Sequence, residues 1–321
     1  MGRRLRITLV GLVVLVGVGS IAGWLAWFPD SQEPAYELVR AWGGAGSEPG
    51  RLDDPNGIAV TAERVYVADS RNHRIQVFTR DGQFVEAWPV PGEGRPMNID
   101  ATADRLYAAD YWNDVIRIYE RETGELAASI GGPGDEPGEL NNPGGVAVGP
   151  KDQVYVADFG NQRVQELTAD GEFVRQWGET GKKGYILGGD FNYPIDVAVA
   201  GDGTLFVADG FNDRVQVFGP DGAFVRKWGG PFGANIRGSA WGWFKVPTGI
   251  ALGPDGATVF VADQENNRVQ KFTRRGAFRT AFGTPHDGPG YTESAVAVAP
   301  DGTVYTANLV DNRVEQWQSA R

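Results

Sequence analysis

The sequence predicts an all-β chain: a six-bladed β-propeller with four antiparallel strands per blade, preceded by one transmembrane α-helix. Three observations predict it. A fourteen-residue line, from Val65 through Val67, Asp69, Asn72 and Arg74 to Phe78, recurs as Leu106–Tyr119, Val154–Leu167, Leu205–Phe218, Val259–Phe272 and Val304–Trp317. Self-similarity at a spacing of 41 to 54 residues is the mark of an architecture built from repeated four-strand units. Gly 46 and Pro 19 punctuate a chain rich in valine and aromatics, a pattern of short strands and turns. Finally, no charged residue lies between Ile7 and Phe28.

From the N-terminus, residues 1–6 carry Arg3, Arg4 and Arg6 and read as a short cytosolic tail. Residues 7–28 are long enough to cross a bilayer as a helix rising about 1.5 Å per residue. Trp24, Trp27 and Phe28 cluster at its exit end, where aromatic rings favour the interface. The positive-inside rule then places everything after Phe28 on the extracytoplasmic side, periplasmic or extracellular. Ser20-Ile21-Ala22 offers a signal-peptide cleavage site, but the apolar run continues past it, which favours a retained anchor. Residues 29–35 are polar and flanked by Pro29 and Pro34, and read as a linker to a single propeller over 36–321.

Each repeat holds four strands. A Pro-led apolar segment (Pro55–Val60, Pro143–Val148, Pro194–Val199, Pro247–Leu252) comes before the recurring line, and an aromatic strand (Phe84–Trp88, Phe173–Trp177, Phe224–Trp228) follows it. Inner strands that are apolar on both sides of the pleat, such as Val65 to Ala68, require a neighbouring sheet on each face. The last repeat has no room for an outer strand before Arg321, whereas Tyr36–Gly43 matches the outer strands elsewhere. Strand 36–43 is therefore expected to complete blade six and close the ring, removing an exposed edge.

The Pro-x-Gly-Ile-Ala-Val opening, the Val-Tyr-Val-Ala-Asp-x-x-Asn-x-Arg-Val-Gln-x-Phe centre and the Gly-x-Phe-Val-x-x-Trp-Gly exit resemble NHL repeats over residues 36–317. The resemblance implies a six-bladed propeller but no single activity, because relatives include RNA-binding modules, extracellular sensor domains and an amidating lyase.

A net charge of -11 repels a phosphate backbone and argues against nucleic acid as partner. The absence of cysteine excludes disulfides, thiolate catalysis and Cys-based metal sites. The recurring Asp, Asn and Arg (Asp69, Asn72, Arg74 and their copies) are repeated too regularly for catalysis. The Asp is expected to accept hydrogen bonds from the turn between the second and third strands, with the Arg beside it. Blade two has Val115 in place of the Arg, and blade six has Asn308 and Asp311. The amidating-lyase resemblance would need several zinc-binding histidines, and only His73 and His286 exist, both expected at the surface.

Two candidate sites remain. One lies where most inner strands carry Gly57, Gly145, Gly249 or Ala295 but blades two and four carry Asn98 and Asp196. With Asp100, these are the oxygen ligands of a possible calcium, as in a hydrolase or lyase resembling gluconolactonases; the alternative is that they hydrogen-bond the adjacent loop. The other is the propeller face that carries the turns between second and third strands and the long connections Gly178–Pro194 and Gly229–Pro247. Tyr111, Trp112, Phe159, Tyr185, Phe211, Arg237, Trp241 and Trp243 fall there, the residue types of recognition surfaces, whereas Phe191 and Phe244 align with Leu52 and Leu140 and belong to the core. The reading is a membrane-anchored binding or scaffold module without a required cofactor, whose partner is a protein, peptide or glycan.

Overall fold

The computed structural model describes residues 29–184, 186–286 and 290–320. Six four-stranded antiparallel sheets are present among them, five of them simple meanders. Blade one runs through Pro55–Val60, Arg64–Asp69, Arg74–Thr79 and Phe84–Pro89, and the pattern repeats. In blade six the strands Glu293–Val298, Val304–Asn308 and Arg313–Ser319 are completed by Tyr36–Gly43, with Trp42 opposite Val314 and Tyr36 opposite Ser319. The ring thus closes as the sequence predicts.

The burial follows from the pattern. On the second strand of blade one, Val65, Tyr66, Val67 and Ala68 are all buried, whereas on the outer strand only Trp88 is. Apolar clusters lie between consecutive blades: Ile75 and Trp88 of blade one pack with Leu106 and Tyr119 of blade two. Phe191 and Phe244 are fully buried, as their alignment with Leu52 and Leu140 implies.

Inner strands converge so closely that side chains alternate in size around the axis. A Cβ on Gly249 would stand 2.9 Å from Ala295 Cα, and Gly57 and Gly145 similarly make room for Asn98 and Asp196 of the following blades. Each of the two larger residues therefore faces a glycine of the preceding blade.

Residues 1–28, with the expected anchor, lie outside the described residues; among those described, no helix is long and apolar enough to cross a membrane. The linker is a docked strap. Gln32 N–H donates to Arg279 O at 2.7 Å, Ser31 Oγ reaches Thr280 Oγ1 at 3.3 Å, and Glu33 pairs with Lys271 at 2.7 Å, which ties the segment to the outer edge of blade five.

Candidate functional site

The repeated polar residues form a structural lock. In blade four, Asp209 Oδ2 accepts from Arg214 Nε (2.7 Å), Asn212 Nδ2 (2.8 Å) and Gln216 Nε2 (2.9 Å). Its Oδ1 accepts from Asn192 N–H at 2.8 Å. That amide belongs to the connection arriving from blade three, so the expected bond to the turn is corrected: the Asp holds the incoming connection. A turn already closed by its own backbone hydrogen bond, Asp213 N–H to Gly210 O, has no need of the carboxylate, while the incoming amide would otherwise be orphaned. Burial pushes the Asp209 carboxyl up and the Arg214 charge pulls it back.

The two irregular blades keep the lock by substitution. Arg117 stands where blades one, three, four and five have Gln and reaches Asp110 Oδ2 at 3.1 Å, replacing the arginine lost at Val115. In blade six the carboxylate has moved across the sheet: Glu315 accepts from Asn308 Nδ2 (2.9 Å) and Arg313 Nη2 (2.6 Å).

The last residue of each turn is a latch to the next blade. Asn312, Asp114, Gln162, Asp213 and Asn267 accept from the N–H of Asp54, Asn142, Tyr193, Val246 and Thr292 at 2.7–3.0 Å. His73 holds the equivalent place in blade one and its Nδ1 meets Gly94 O at 3.0 Å. It is a half-buried latch, which corrects its reading as a solvated surface residue; His286 is half-buried as well.

The channel is about 180 Å³, lined by the inner strands with Asn98, Asp100 and Asp196. Asp196 Oδ2 accepts from Ile250 N–H and Asp100 Oδ2 from Val148 N–H, both at 2.8 Å, so each carboxylate ties its inner strand to that of the next blade. The partner is a strand amide, where a loop was expected. Burial raises both carboxyls, Asp196 to about 7, with Ile250 N–H and Asn98 opposing the shift. Asp100 Oδ1 is committed to Ala101 N–H at 2.8 Å; Asp196 Oδ1 is buried without a donor in bonding geometry. One free carboxylate oxygen beside an amide falls far short of the six to eight oxygens calcium takes, and no group of three or more acidic or histidine side chains suited to a metal exists among the described residues.

Above the channel opens a mouth of about 550 Å³ on the face that carries the turns and long connections. Tyr111, Phe159, Phe211 and Arg237 line it as the sequence predicts. With Tyr193 the rings form a continuous arc: Tyr111 to Phe159 at 6.2 Å, Phe159 to Tyr193 at 4.7 Å and Tyr193 to Phe211 at 5.2 Å between centroids. Lys183 Nζ caps Tyr193 at 4.2 Å. Arg237, paired with Glu265, and Arg95, paired with Asp54, bring guanidinium groups to the same mouth.

Three expected residues lie elsewhere. Trp112 is exposed outside the mouth, under the Arg95 guanidinium at 5.5 Å. Trp241 and Trp243 line a separate groove of about 450 Å³ on the rim between blades four and five, where Trp241 stacks on Phe278 at 5.7 Å and 13°. Their connection is long enough to run outward past the outer strand, so loop membership did not fix the direction. Tyr185 lies outside the described residues.

Sequence reasoning missed Arg95, Met97, Asp213 and Tyr291, all at the mouth. Arg95 and Met97 flank Pro96, where a proline-led inner strand begins, and that position relative to the repeat is the signal that could have found them. Neither histidine lines the mouth.

Comparisons with known proteins agree on architecture. The NHL repeat matches at residues 52–78, 140–167, 191–218 and 244–272, which are blades one, three, four and five, the four that keep Asp, Arg and Gln in the lock. Peptidyl-glycine alpha-amidating monooxygenase A of Xenopus laevis is 37% identical over 121 residues, 37% of this chain and 12% of that protein. Peptidyl-alpha-hydroxyglycine alpha-amidating lyase 1 of Drosophila melanogaster is 31% identical over 147 residues, 44% of this chain and 27% of that protein. The chain thus spans well under half the length of these relatives. Among solved structures, a streptogramin B lyase superposes with a TM-score of 0.62 at 15% identity, covering 88% of this chain and 98% of that one, a likeness of fold alone. The chain carries four NHL repeats, set within a six-bladed β-propeller.

Proposed function

We propose that this chain is a membrane-anchored, extracytoplasmic binding module that takes an apolar or aromatic group of a protein, peptide or glycan into the mouth of the channel. The observation that carries the reading is the mouth itself: an arc of aromatic rings facing two guanidinium groups, in a cavity of about 550 Å³ on a rigid ring. Rings supply contact area at small entropic cost, and arginine adds directional hydrogen bonds. Among the described residues that line the mouth, no nucleophile is paired with a base, which favours binding over catalysis.

The test is affinity capture from solubilised membranes with the intact chain and with a Tyr111→Ala, Phe211→Ala variant. Removing the two end rings of the arc, both of which line the mouth, is expected to cost about 2 kcal/mol or more, roughly thirtyfold in affinity. Undiminished capture of the same species by the variant refutes the mouth as the site.

A second reading, a hydrolase or lyase acting at the channel mouth, is favoured by the local likeness to an alpha-amidating monooxygenase and an alpha-amidating lyase. Metal analysis of the purified chain separates the two: stoichiometric calcium lost on chelation would favour the enzyme, and none would favour the binder.

A further inference from the structure

The rim of blade four is greasy on the outside. Ile186 and Leu187 are 66% and 76% exposed, and Phe224, Val225, Ile236 and Trp241 are each more than two-fifths exposed. These six belong to three chain segments that touch one another. A Cβ on Gly188 would collide with the Phe224 ring, the Lys227 ammonium contacts Ile186 O, and Gly233 packs against the stem of the same lysine. Trp241 continues the surface onto Phe278 of blade five. Outer strands elsewhere show a pair such as Phe84 and Val85, but among the described residues only here do long connections add to it. A contiguous exposed apolar surface on the outside of a ring marks a contact with something less polar than water.

The strap identifies what that is. Hydrogen bonds and ion pairs of Ser31, Gln32 and Glu33 fix it to blade five, and Pro29 stands in the groove beside Gly242 and Phe278. The residues preceding Pro29 in sequence are the uncharged run from Ile7 to Phe28. A chain covers at most about 3.5 Å per residue, so a bilayer holding that run lies against this rim and away from blade one across the ring. Tryptophan and aliphatic side chains are the residues that favour the boundary between headgroups and acyl chains.

We infer that the rim of blades four and five, centred on Leu187, Val225, Ile236 and Trp241, is a second membrane contact that lays the propeller on its side against the lipid surface. The inference rests on the anchored reading of residues 7–28. Lying on its rim, the ring keeps its mouth open sideways to partners in the same membrane or beside it.

The chain has no cysteine, so single cysteines report cleanly. Val225→Cys and Val85→Cys occupy the same repeat position on opposite sides of the ring, both exposed. Each full-length variant, with Leu187→Cys as a third, is labelled with an environment-sensitive fluorophore and reconstituted in phosphatidylcholine vesicles containing brominated acyl chains. Labels at 225 and 187 are expected to be quenched several-fold more than the label at 85. Flotation of the same samples separates the two claims. Equal quenching at 85 and 225 in protein that floats with the vesicles overturns the rim contact alone. Protein that fails to float overturns the anchor and the rim contact together. Thermal melts of the labelled variants matching the unsubstituted chain show that the label has not unfolded the ring.

Discussion

Asp196 shows how a single side chain can look functional and still serve the frame. It occupies a place where four of the other five blades have glycine or alanine, and its carboxyl is buried with one oxygen lacking a donor. Burial lifts it to about 7 from an ordinary 3.8. Below 3.8 the carboxyl is protonated whether the chain is folded or not. Between 3.8 and about 7 the unfolded chain releases the proton and the folded one keeps it, so stability falls as pH rises through that interval and levels off above it. Asp196→Asn, a mimic of the protonated form, is expected to flatten that fall while keeping the bond to Ile250. Glu293, raised to about 7 by burial, continues to contribute its own slope. Denaturant unfolding across the same pH interval checks it; identical slopes in both proteins would mean that Asp196 is ionised in the fold.

At the scale of the blade, the unit conserved in space is a charge balance and not a residue at a position. Blade four places Asp209, Arg214 and Gln216 in the lock, while blade six places Asn308, Arg313 and Glu315 there. Asn308→Asp alone sets a second carboxylate against Glu315, and Glu315→Gln alone removes the main acceptor of Arg313. Each is expected to destabilise, and the pair together to restore the blade-four arrangement, with a coupling of about 1–3 kcal/mol in a double-mutant cycle read by chemical denaturation. Strictly additive effects would show that the two positions do not share one charge. Blades two and six, which carry these substitutions, fall outside the repeat matches although their strands pair like the rest.

For the whole molecule the decisive joint is the last sheet. Trp42 of the N-terminal strand lies between Phe78 and Tyr305, 6.2 and 6.1 Å between centroids, and so binds blade six to blade one. Removing residues 1–43 takes that partly buried ring away, worth about 2 kcal/mol by itself, and leaves Arg313–Ser319 as an unpaired edge. The truncated chain is expected to melt earlier and to associate with rising concentration, as light scattering would report. A monomer with an unchanged melt would mean that closure contributes nothing.

The blade count, the strand order and the closing strand were legible because a repeat states the same local pattern six times, and period-two apolar sequences with turn residues between them leave one architecture. The core role of Phe191 and Phe244 and four residues of the mouth were legible for the same reason. Which neighbour a polar side chain meets was not, because blades meet through contacts far apart in sequence, 54 residues between Asp196 and Ile250 around the channel and 258 between Asp54 and Asn312 across the closure. Sequence placed Trp241 and Arg237 on one connection; only the packed ring sent Trp241 outward onto Phe278 and Arg237 inward to the mouth, since the direction of a long loop is set by the surfaces it lands on and not by its own residues.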